Sequence, residues 1–297
     1  MSSLWVLAAL LGSIGQVARN AMQSSLTRQI GTVGATQVRF LFGLPFAALF
    51  LVLVTLATGE AIPIPTLPSL GFTCAGALAQ IAATGLMLVV MKSQSFAVTT
   101  AWLKTEPVIV ALAAALILRD PISLPVLAAI IIASAGVMLM SIKPGTAAWK
   151  LGRPALTGLL AGGLFGASAI GFRGGIVHLE SGGFLIRATS TLALTLMIQT
   201  STLLFWMVLF NRQALAASFA VWRSSLFAGF LGAFASQFWF IGFALTSAAN
   251  VRTLALVEVI LATAVSRYAF KQPVSRRQII GMAVIVLGVG LLLRLTA

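Results

Sequence analysis

Ten long apolar stretches, separated by short polar connections, run along this chain of 297 residues. Each stretch is close to the roughly 20 apolar residues that an α-helix needs to cross the hydrocarbon layer of a membrane. Charged residues make up only 8% of the chain, against roughly 25% in soluble domains. So few charges cannot cover the surface of a water-soluble protein of this length. The sequence therefore predicts an all-α, polytopic membrane protein.

The apolar stretches form two groups of five predicted helices, and a polar connection at residues 143–154 separates the groups. No basic residue precedes the first stretch, unlike in a cleavable signal peptide, so we expect it to remain as the first helix. The predicted spans are 4–27, 35–58, 70–91, 95–118 and 124–142 in the first group, and 155–177, 183–209, 221–245, 248–269 and 277–295 in the second.

The second group repeats a residue pattern of the first. Glu106 precedes Pro121 by fifteen residues, and Glu258 precedes Pro273 by the same distance. The offset between the copies is 152 residues (258 − 106), about half of the chain. The match extends to two further pairs: Ser123 with Ser275, and Gly136 with Gly288. Such a duplication predicts two five-helix repeats, residues 1–146 and 152–297.

The two repeats are predicted to lie in the membrane in opposite orientations. Five crossings is an odd number, so the second copy starts on the opposite side of the membrane from the first. Transporters built from inverted repeats hold their substrate between the two copies. Gln80 and Gln237 also correspond, because each lies five residues before a glycine in the third helix of its copy. The repetition therefore favours a transporter with a central site.

The endings of both repeats resemble those of EamA transporters. Residues 118–123 read Leu-Arg-Asp-Pro-Ile-Ser before an apolar helix with Gly136, and residues 270–275 read Phe-Lys-Gln-Pro-Val-Ser before one with Gly288. The order of ten short helices in two copies is similar to the drug/metabolite transporter superfamily over essentially the whole chain. Within it, the chain is most similar to bacterial exporters of aromatic and other amino acids. It departs from the family pattern at residues 119–120 and 271–272, where an acidic residue often follows Leu-Gly.

This resemblance implies a function and a place for the site. It implies a secondary transporter that exports amino acids, including aromatic and large apolar ones, across the bacterial cytoplasmic (inner) membrane by alternating access. It also implies a substrate site between helices one, three, four, six, eight and nine. We expect a monomer surrounded by the lipid bilayer, with a small molecule as its substrate.

Two other functions stay open at this point. The first is export of hydrophobic or quaternary cations, or of other small metabolites, in which Glu106 or Glu258 and the tryptophans form an anionic aromatic pocket. The second is an intramembrane enzyme that modifies lipid. Such an enzyme needs His, Asp or Glu clustered near an interface, whereas the five acidic residues lie in five separate regions. The HExxH, Walker and GxSxG motifs are also absent from the sequence, so we expect no enzyme.

The first candidate site residues are carboxylates inside the predicted spans, because charges in hydrocarbon are costly and usually functional. Glu106 and Glu258 occupy matching positions near the middle of helices four and nine, where they can face a shared path and bind an ammonium group or a proton. The alternative is that Glu106 pairs with a basic residue and locks two helices together. Lys104 is a poor direct partner, since two positions turn a helix by about 200°. Pro107 permits a kink or gate in helix four.

Aromatic and amide side chains supply the next candidates. Thr99 and Trp102 share a predicted helical face with Glu106, and Trp102 either lines a cavity or packs in the core or against lipid. Trp239 has the same two interpretations; in a cavity, either ring can stack on an aromatic substrate or cover a cation. The amides of Gln80 and Gln237 bind substrate or form hydrogen bonds across helices.

The arginines divide into two groups. Arg252 lies six residues before Glu258, which favours a role as a ligand or an ion-pair partner. Arg39 and Arg187 begin helices two and seven, and we expect both to extend toward lipid headgroups. Arg19 and Asn20 in helix one can reach a headgroup in the same way.

The remaining charge points to membrane topology. The net charge of +14 lies mostly at helix ends, which favours topology signals over nucleic-acid binding. The rule that cytoplasmic connections are positively charged places the odd-numbered connections in the cytoplasm and both termini outside, whereas EamA relatives are usually drawn with cytoplasmic termini. A single histidine, His178, and a single cysteine, Cys74, predict no metal site and no intrachain disulfide. We expect no cofactor.

Overall fold

The structure is a computed structural model that describes residues 3–93, 99, 102–104, 107–120, 122–141, 152–268, 271 and 273–296. In this part of the chain, every regular element is an α-helix. Helices suit an apolar chain because lipid offers the backbone no hydrogen-bonding partner, whereas a helix pairs its own N–H and C=O groups. The helices are α1 (Leu4–Leu41), α2 (Leu44–Thr58), α3 (Leu67–Ser93), α4 (Pro107–Ile117), α5 (Leu124–Ser141), α6 (Arg153–Val177), α7 (Phe184–Phe210), α8 (Arg212–Ala220), α9 (Trp222–Leu245), α10 (Ala248–Leu254), α11 (Val257–Tyr268) and α12 (Arg276–Thr296).

Many of these helices match a membrane in length and hydropathy. Within the described ranges, seven helical stretches are long and apolar enough to cross it: Leu4–Thr58, Leu67–Ser93, Arg153–Val177, Phe184–Phe210, Trp222–Leu245, Ala248–Tyr268 and Arg276–Thr296. A shorter apolar helix covers Leu124–Met140. The fold is therefore that of an all-helical, multi-pass membrane protein.

The longest helix, α1, has an internal break at Gly31. This residue lies between the predicted spans 4–27 and 35–58 and has a φ of 74°, a conformation that is accessible to glycine because it has no Cβ. Across the break, the Nε2 group of Gln23 donates a 2.9 Å hydrogen bond to the carbonyl oxygen of Ala35. Gly31 therefore serves as the short connection that the sequence predicts between two apolar segments.

The structure also differs from the predicted spans. The ninth predicted span, 248–269, is divided into α10 and α11 by a turn at Ala255 and Leu256. Helix α8 lies between α7 and α9, where the sequence predicts no helix, and the Asn211 side chain caps it by accepting a hydrogen bond from the Ala214 N–H. Much of the fourth predicted span, 95–118, lies outside the described residues. Its described helix is α4, Pro107–Ile117.

Helices from the two halves of the chain pack against each other. Helix α1 packs on α9, α3 on α6, α5 on α12, α2 on α7 and α4 on α10. Small residues permit the closest crossings: a Cβ added to Gly171 in α6 would lie 2.7 Å from the Cα of Gly76 and from the carbonyl oxygen of Phe72 in α3. In lipid, such close packing replaces the hydrophobic driving force that associates helices in water.

The α3–α6 crossing generates a stability prediction. We expect Gly171→Ala to lower the free energy of unfolding by about 1–3 kcal/mol, because the added methyl group overpacks two backbones. Gly163→Ala is the control, since this glycine is in the same helix and nothing lies within 4 Å of a Cβ added there. Reversible unfolding in mixed SDS micelles measures both variants. Equal stability of the two would contradict a tight crossing at Gly171.

Candidate functional site

One face of α1 carries polar side chains that are buried inside the bundle. Gln16, Asn20, Gln23 and Thr27 follow a spacing of four, three and four residues, which places them on one side of the helix. None of the four is more than 7% exposed. Buried polar groups are costly unless they find partners, so this face identifies where α1 meets the polar interior of the protein.

Glu258 supplies the charge that this polar face meets. Its carboxylate is fully buried, with Oε1 lying 3.1 Å from Nζ of Lys104. The other oxygen, Oε2, accepts a 3.2 Å hydrogen bond from Nε2 of Gln16. Lys104 is itself only 2% exposed. Both members of the ion pair are therefore removed from solvent, where loss of one partner strands the other charge.

The break between α10 and α11 positions the Glu258 carboxylate. Helix α10 ends at Leu254, and α11 begins at Val257, so Glu258 lies in the first turn of α11. Its backbone N–H donates a 3.0 Å hydrogen bond to the Ala255 carbonyl oxygen, which tightens the turn. The beginning of a helix carries a partial positive charge that stabilises a nearby carboxylate. The break between the two helices thus places the Glu258 carboxylate at a helix beginning, close to Gln16 and Lys104.

Trp239 in α9 completes the network. Its indole Nε1–H donates a 3.1 Å hydrogen bond to Oε1 of Gln16, which in turn donates to Glu258. The ammonium group of Lys104 lies 5.7 Å from the centre of the Trp239 ring, within the range of a cation–π interaction. The Gln16 amide therefore links an aromatic ring to a carboxylate, and a cation lies beside both of them.

A small cavity adjoins this network. It is lined by side chains from several helices: Gln16, Asn20, Met87, Leu103, Lys104, Phe165, Arg252 and Glu258. Only about 10 Å³ of it admits the centre of a water molecule, which is room for about one water. The cavity is too small for an amino acid. A solute of that size enters only if the surrounding helices separate.

The structure brings some of the predicted site residues together. Arg252 and Glu258 both line the cavity, and Trp239 reaches it through Gln16. Thr99 is fully buried but is not among the described residues that line this cavity. The Trp102 side chain packs against Gly158 in α6, where an added Cβ would lie 3.0 Å from it. Glu106 lies outside the described residues.

The two predicted glutamines bond across helices, and both bond to α7. Oε1 of Gln80 accepts a 2.9 Å hydrogen bond from Nε2 of Gln199. Nε2 of Gln237 donates a 2.8 Å hydrogen bond to Oγ1 of Thr189. In this conformation the two amides tie α3 and α9 to α7, as interhelical hydrogen bonds commonly do in membranes.

Arg39 corrects one expectation from the sequence. We expect it at a headgroup, but its side chain is 2% exposed, and Nη1 donates a 2.9 Å hydrogen bond to Oγ1 of Thr84. Arg19 is also buried, with Nε and Nη2 donating to Oδ1 of Asn20. Arg187 does lie at a helix end, where Nε donates to the Ser181 carbonyl oxygen. Both Arg39 and Arg187 were predicted at the start of a helix, but only Arg187 lies at a helix end. Arg39 is buried because α1 continues beyond Gly31 into the bundle.

Gln16 is the central residue that the sequence analysis missed. The polar spacing at positions 16, 20, 23 and 27 contains the signal, since such a face on an apolar helix is unlike a lipid-facing surface. A residue-by-residue search for charges overlooks it, because three of the four side chains are uncharged amides and the fourth is a threonine.

The ion pair generates a second prediction. We expect Glu258→Gln to lower the free energy of unfolding by about 3–5 kcal/mol, because it removes the carboxylate that neutralises buried Lys104. The double variant Glu258→Gln, Lys104→Met should recover part of this loss. Glu180→Gln, an exposed carboxylate between α6 and α7, is the control. SDS unfolding measures these proteins together with the single variant Lys104→Met; strictly additive effects of the two substitutions would show that the charges do not interact.

The comparisons with known proteins agree with this architecture. Residues 153–294 match the EamA-like transporter family. A solved structure, described only as a crystal structure of a protein, is 15% identical with a TM-score of 0.65, and the match covers 97% of this chain and 98% of that one. At this identity the likeness shows the fold alone. None of the curated proteins matches the chain. Residues 153–294 of this chain therefore carry an EamA-like transporter domain, and the members of this family are membrane transporters of small solutes.

Proposed function

We propose that the protein exports amino acids, including aromatic and large apolar ones, by alternating access across the cytoplasmic membrane of a bacterium, acting as a monomer. The observation that carries this proposal is the place of the Lys104 ammonium group. It lies 3.1 Å from the Glu258 carboxylate and 5.7 Å from the Trp239 ring centre. A primary ammonium group is therefore accommodated at this position, and the ammonium of an amino acid is chemically equivalent to it.

The other groups of the cavity complement the rest of an amino acid. Arg252 lines the same cavity as Glu258, so the cavity carries positive charge near the anion that would hold the substrate ammonium group. Phe165 and Met87 provide apolar lining for a side chain. When the helices separate, we propose that further candidates contact the substrate: Gln80, Thr99, Trp102, Glu106 and Gln237. Pro107, where α4 begins, then acts as the hinge of the gate.

Export of hydrophobic cations receives less support from the charges. Among the described residues, Arg252, Lys104 and Glu258 line the cavity, and Arg19 lies beside it through Asn20. A permanent cation would be repelled by three positive groups and attracted by one carboxylate. A zwitterion has a favourable partner for each of its charges, so this charge arrangement supports amino acids as the substrate class.

We further propose that the transporter has ten membrane-spanning helices in two inverted repeats, 1–146 and 152–297. Reciprocal packing supports this: α1 packs on α9 and α3 on α6, which is helix one with eight and helix three with six in the predicted numbering. A two-fold operation that exchanges the repeats converts one pair into the other. In addition, Arg119 and Lys271 have unusual positive φ values of 54° and 52°, and they are 152 residues apart (271 − 119).

An ion pair at one end of the bundle supports an alternating-access mechanism. Arg173 in α6 donates from Nε to Oδ2 of Asp120 at 2.8 Å, and from Nη2 to Oδ1 at 2.9 Å. Its Nη1 donates to the carbonyl oxygen of Phe243 in α9. One guanidinium therefore joins α6, α9 and the segment after α4. We propose that this contact closes the Asp120 end and breaks when that end opens.

A pocket lies at the opposite end of the bundle. The direction of successive helices alternates, which places the end of the first span of α1 opposite Asp120. There, a pocket of about 330 Å³ is lined by Ser24, Thr27, Arg28, Leu88, Met91 and Lys92. It continues the α1 and α3 faces that line the cavity at Asn20 and Met87. In the predicted topology this is the cytoplasmic end, from which an exporter loads its substrate.

Transport by the purified full-length protein tests the proposed function. Proteoliposomes should take up radiolabelled phenylalanine and leucine saturably, both with and without an imposed proton gradient. Trp239→Phe should raise KM for phenylalanine on the order of tenfold, since it removes the hydrogen bond that orients Gln16 toward Glu258. Trp222→Phe is the matched control, because Trp222 lies in the same helix with its side chain exposed.

Tetraphenylphosphonium belongs in the same assay as a hydrophobic cation. Uptake of this cation without uptake of any amino acid would favour the cation exporter and refute amino-acid transport. An equal KM for phenylalanine in the Trp239 and Trp222 variants would show that the hydrogen bonds of Gln16 do not contribute to substrate binding.

The Asp120–Arg173 contact gives a separate prediction. Asp120→Asn should increase the exposure of the cavity to the Asp120 side on the order of tenfold, since it weakens a bidentate charged contact. The readout is the rate at which an impermeant maleimide, added from that side, labels Met87→Cys in a Cys74→Ala background. Glu60→Gln is the control, because Glu60 accepts a hydrogen bond from the Gly183 N–H and the amide oxygen of Gln can also accept it. A labelling rate like that of the parent would show that this contact is not the gate.

A further inference from the structure

Two buried arginines, Arg19 and Arg39, lie close to each other in the bundle. A Cβ placed on Gly232 in α9 would lie 3.3 Å from Cγ of Arg39 and 3.6 Å from Cδ of Arg19. Their side chains therefore converge on the same glycine from the two segments of α1. Arg19 is 0% exposed and Arg39 is 2% exposed. Their positive charges are close enough to repel each other.

Neither guanidinium group has a carboxylate partner in the described part of the chain. Arg39 donates to the hydroxyl of Thr84, and Arg19 donates to the amide oxygen of Asn20. The ion pairs seen among these residues join other groups, Lys104 to Glu258 and Arg173 to Asp120. Glu258 is near enough to favour the positive charge of Arg19, but the described hydrogen bonds of both guanidinium groups go to neutral acceptors. Two buried positive charges with so little compensation are costly in a membrane, and an anion between the helices would offset this cost.

Arg19 has a free N–H donor that such an anion could bind. Its Nη1 group is buried and has no hydrogen-bond partner among the residues that the structure describes. The other side of the guanidinium is held by Asn20, and Asn20 lines the cavity with Glu258. A guanidinium group with one side fixed and one donor unpaired is prepared for a carboxylate, which it binds through short, charge-assisted hydrogen bonds.

The spacing along α1 relates this donor to the position of the ammonium group. Gln16 contacts Glu258, and Asn20, which holds Arg19, follows one turn later on the same face. One turn separates the two side chains by about 6 Å along the helix. An α-amino acid has its ammonium and carboxylate on one carbon. It can therefore place the ammonium group at the turn of Gln16 and Glu258 and the carboxylate at the turn of Asn20 and Arg19.

We propose that Arg19, supported by Arg39, is the subsite that binds the carboxylate of the transported solute. This inference rests on the proposed amino-acid transport and deepens it. The ammonium group displaces Lys104 from Glu258, while the carboxylate takes the unpaired donor of Arg19. Arg39 adds a second positive charge behind it. The pair selects solutes in which an anion lies one carbon from an ammonium group.

The experiment compares phenylalanine with phenylalaninamide, which keeps the ring and the ammonium group but has no carboxylate. In proteoliposomes of the parent protein, the amide should have a KM on the order of tenfold higher or more. In Arg19→Gln, this ratio should fall to about one, through weaker binding of phenylalanine. Arg187→Gln, at an exposed helix end, should keep the ratio of the parent. The ratio is independent of the amount of folded protein, because both solutes are measured on the same preparation.

Arg39→Gln keeps the test decisive if Arg19→Gln does not fold. Arg39→Gln should lower the ratio of the KM for phenylalaninamide to the KM for phenylalanine, because it removes the second positive charge. Arg19→Lys keeps a positive charge at position 19 and should therefore have a ratio between those of Arg19→Gln and the parent. A parent ratio near one, or an unchanged ratio in both Gln variants, would overturn the subsite.

A thermal-stability arm separates this inference from the proposed function. If the parent transports no amino acid, the proposed function fails, and the subsite is then judged by the melting temperature with sodium phenylpropionate, phosphate or chloride. Stabilisation by the carboxylate that disappears in Arg19→Gln would still support a carboxylate subsite. Equal stabilisation by phosphate or chloride would assign the site to an inorganic anion and overturn it, as would no stabilisation by any of them.

Discussion

The buried carboxylate of Glu258 is the constraint on which the centre of this protein depends. A charge inside the hydrocarbon region needs partners that remove its solvation penalty. Glu258 obtains them from Lys104, from Gln16 and from the beginning of α11. These contacts bring together α1, α11 and the segment before α4. Trp239 then joins α9 to the same point through Gln16.

Small residues make this arrangement possible. The Gln16–Trp239 contact needs α1 and α9 close together, and Gly12 and Gly15 provide the space: an added Cβ would lie 3.1 Å from the Trp239 ring and 3.0 Å from Phe234. The α3–α6 crossing uses glycines in the same way. Close crossings also leave little free volume, which explains why the cavity beside Glu258 has room for about one water and not for an amino acid. Transport therefore requires whole helices to move apart.

The sequence predicted the helices better than the site. Eight of the ten predicted spans match the described helices in extent, if the two segments of α1 on either side of Gly31 are taken separately. They could be predicted because the free energy of transfer into lipid depends on local composition. The division of span 248–269 and the short helix α8 were missed, since turns inside apolar segments leave little trace in composition. Arg39 was misplaced for a related reason: the stretch after Gly31 looks like a helix end in the sequence but lies inside the bundle.

By itself, the sequence determined that the chain is helical and crosses the membrane repeatedly, and that Glu258 and Arg252 lie inside it. These properties follow from the free energy of moving each stretch from water into lipid, which neighbouring residues decide. The tertiary structure alone decided the partners. Gln16 and Glu258 are 242 positions apart, and whether two such side chains meet depends on the crossings of helices that separate them in the chain. The same is true of Arg19 and Arg39, whose shared contact at Gly232 exists only because α9 packs against both segments of α1.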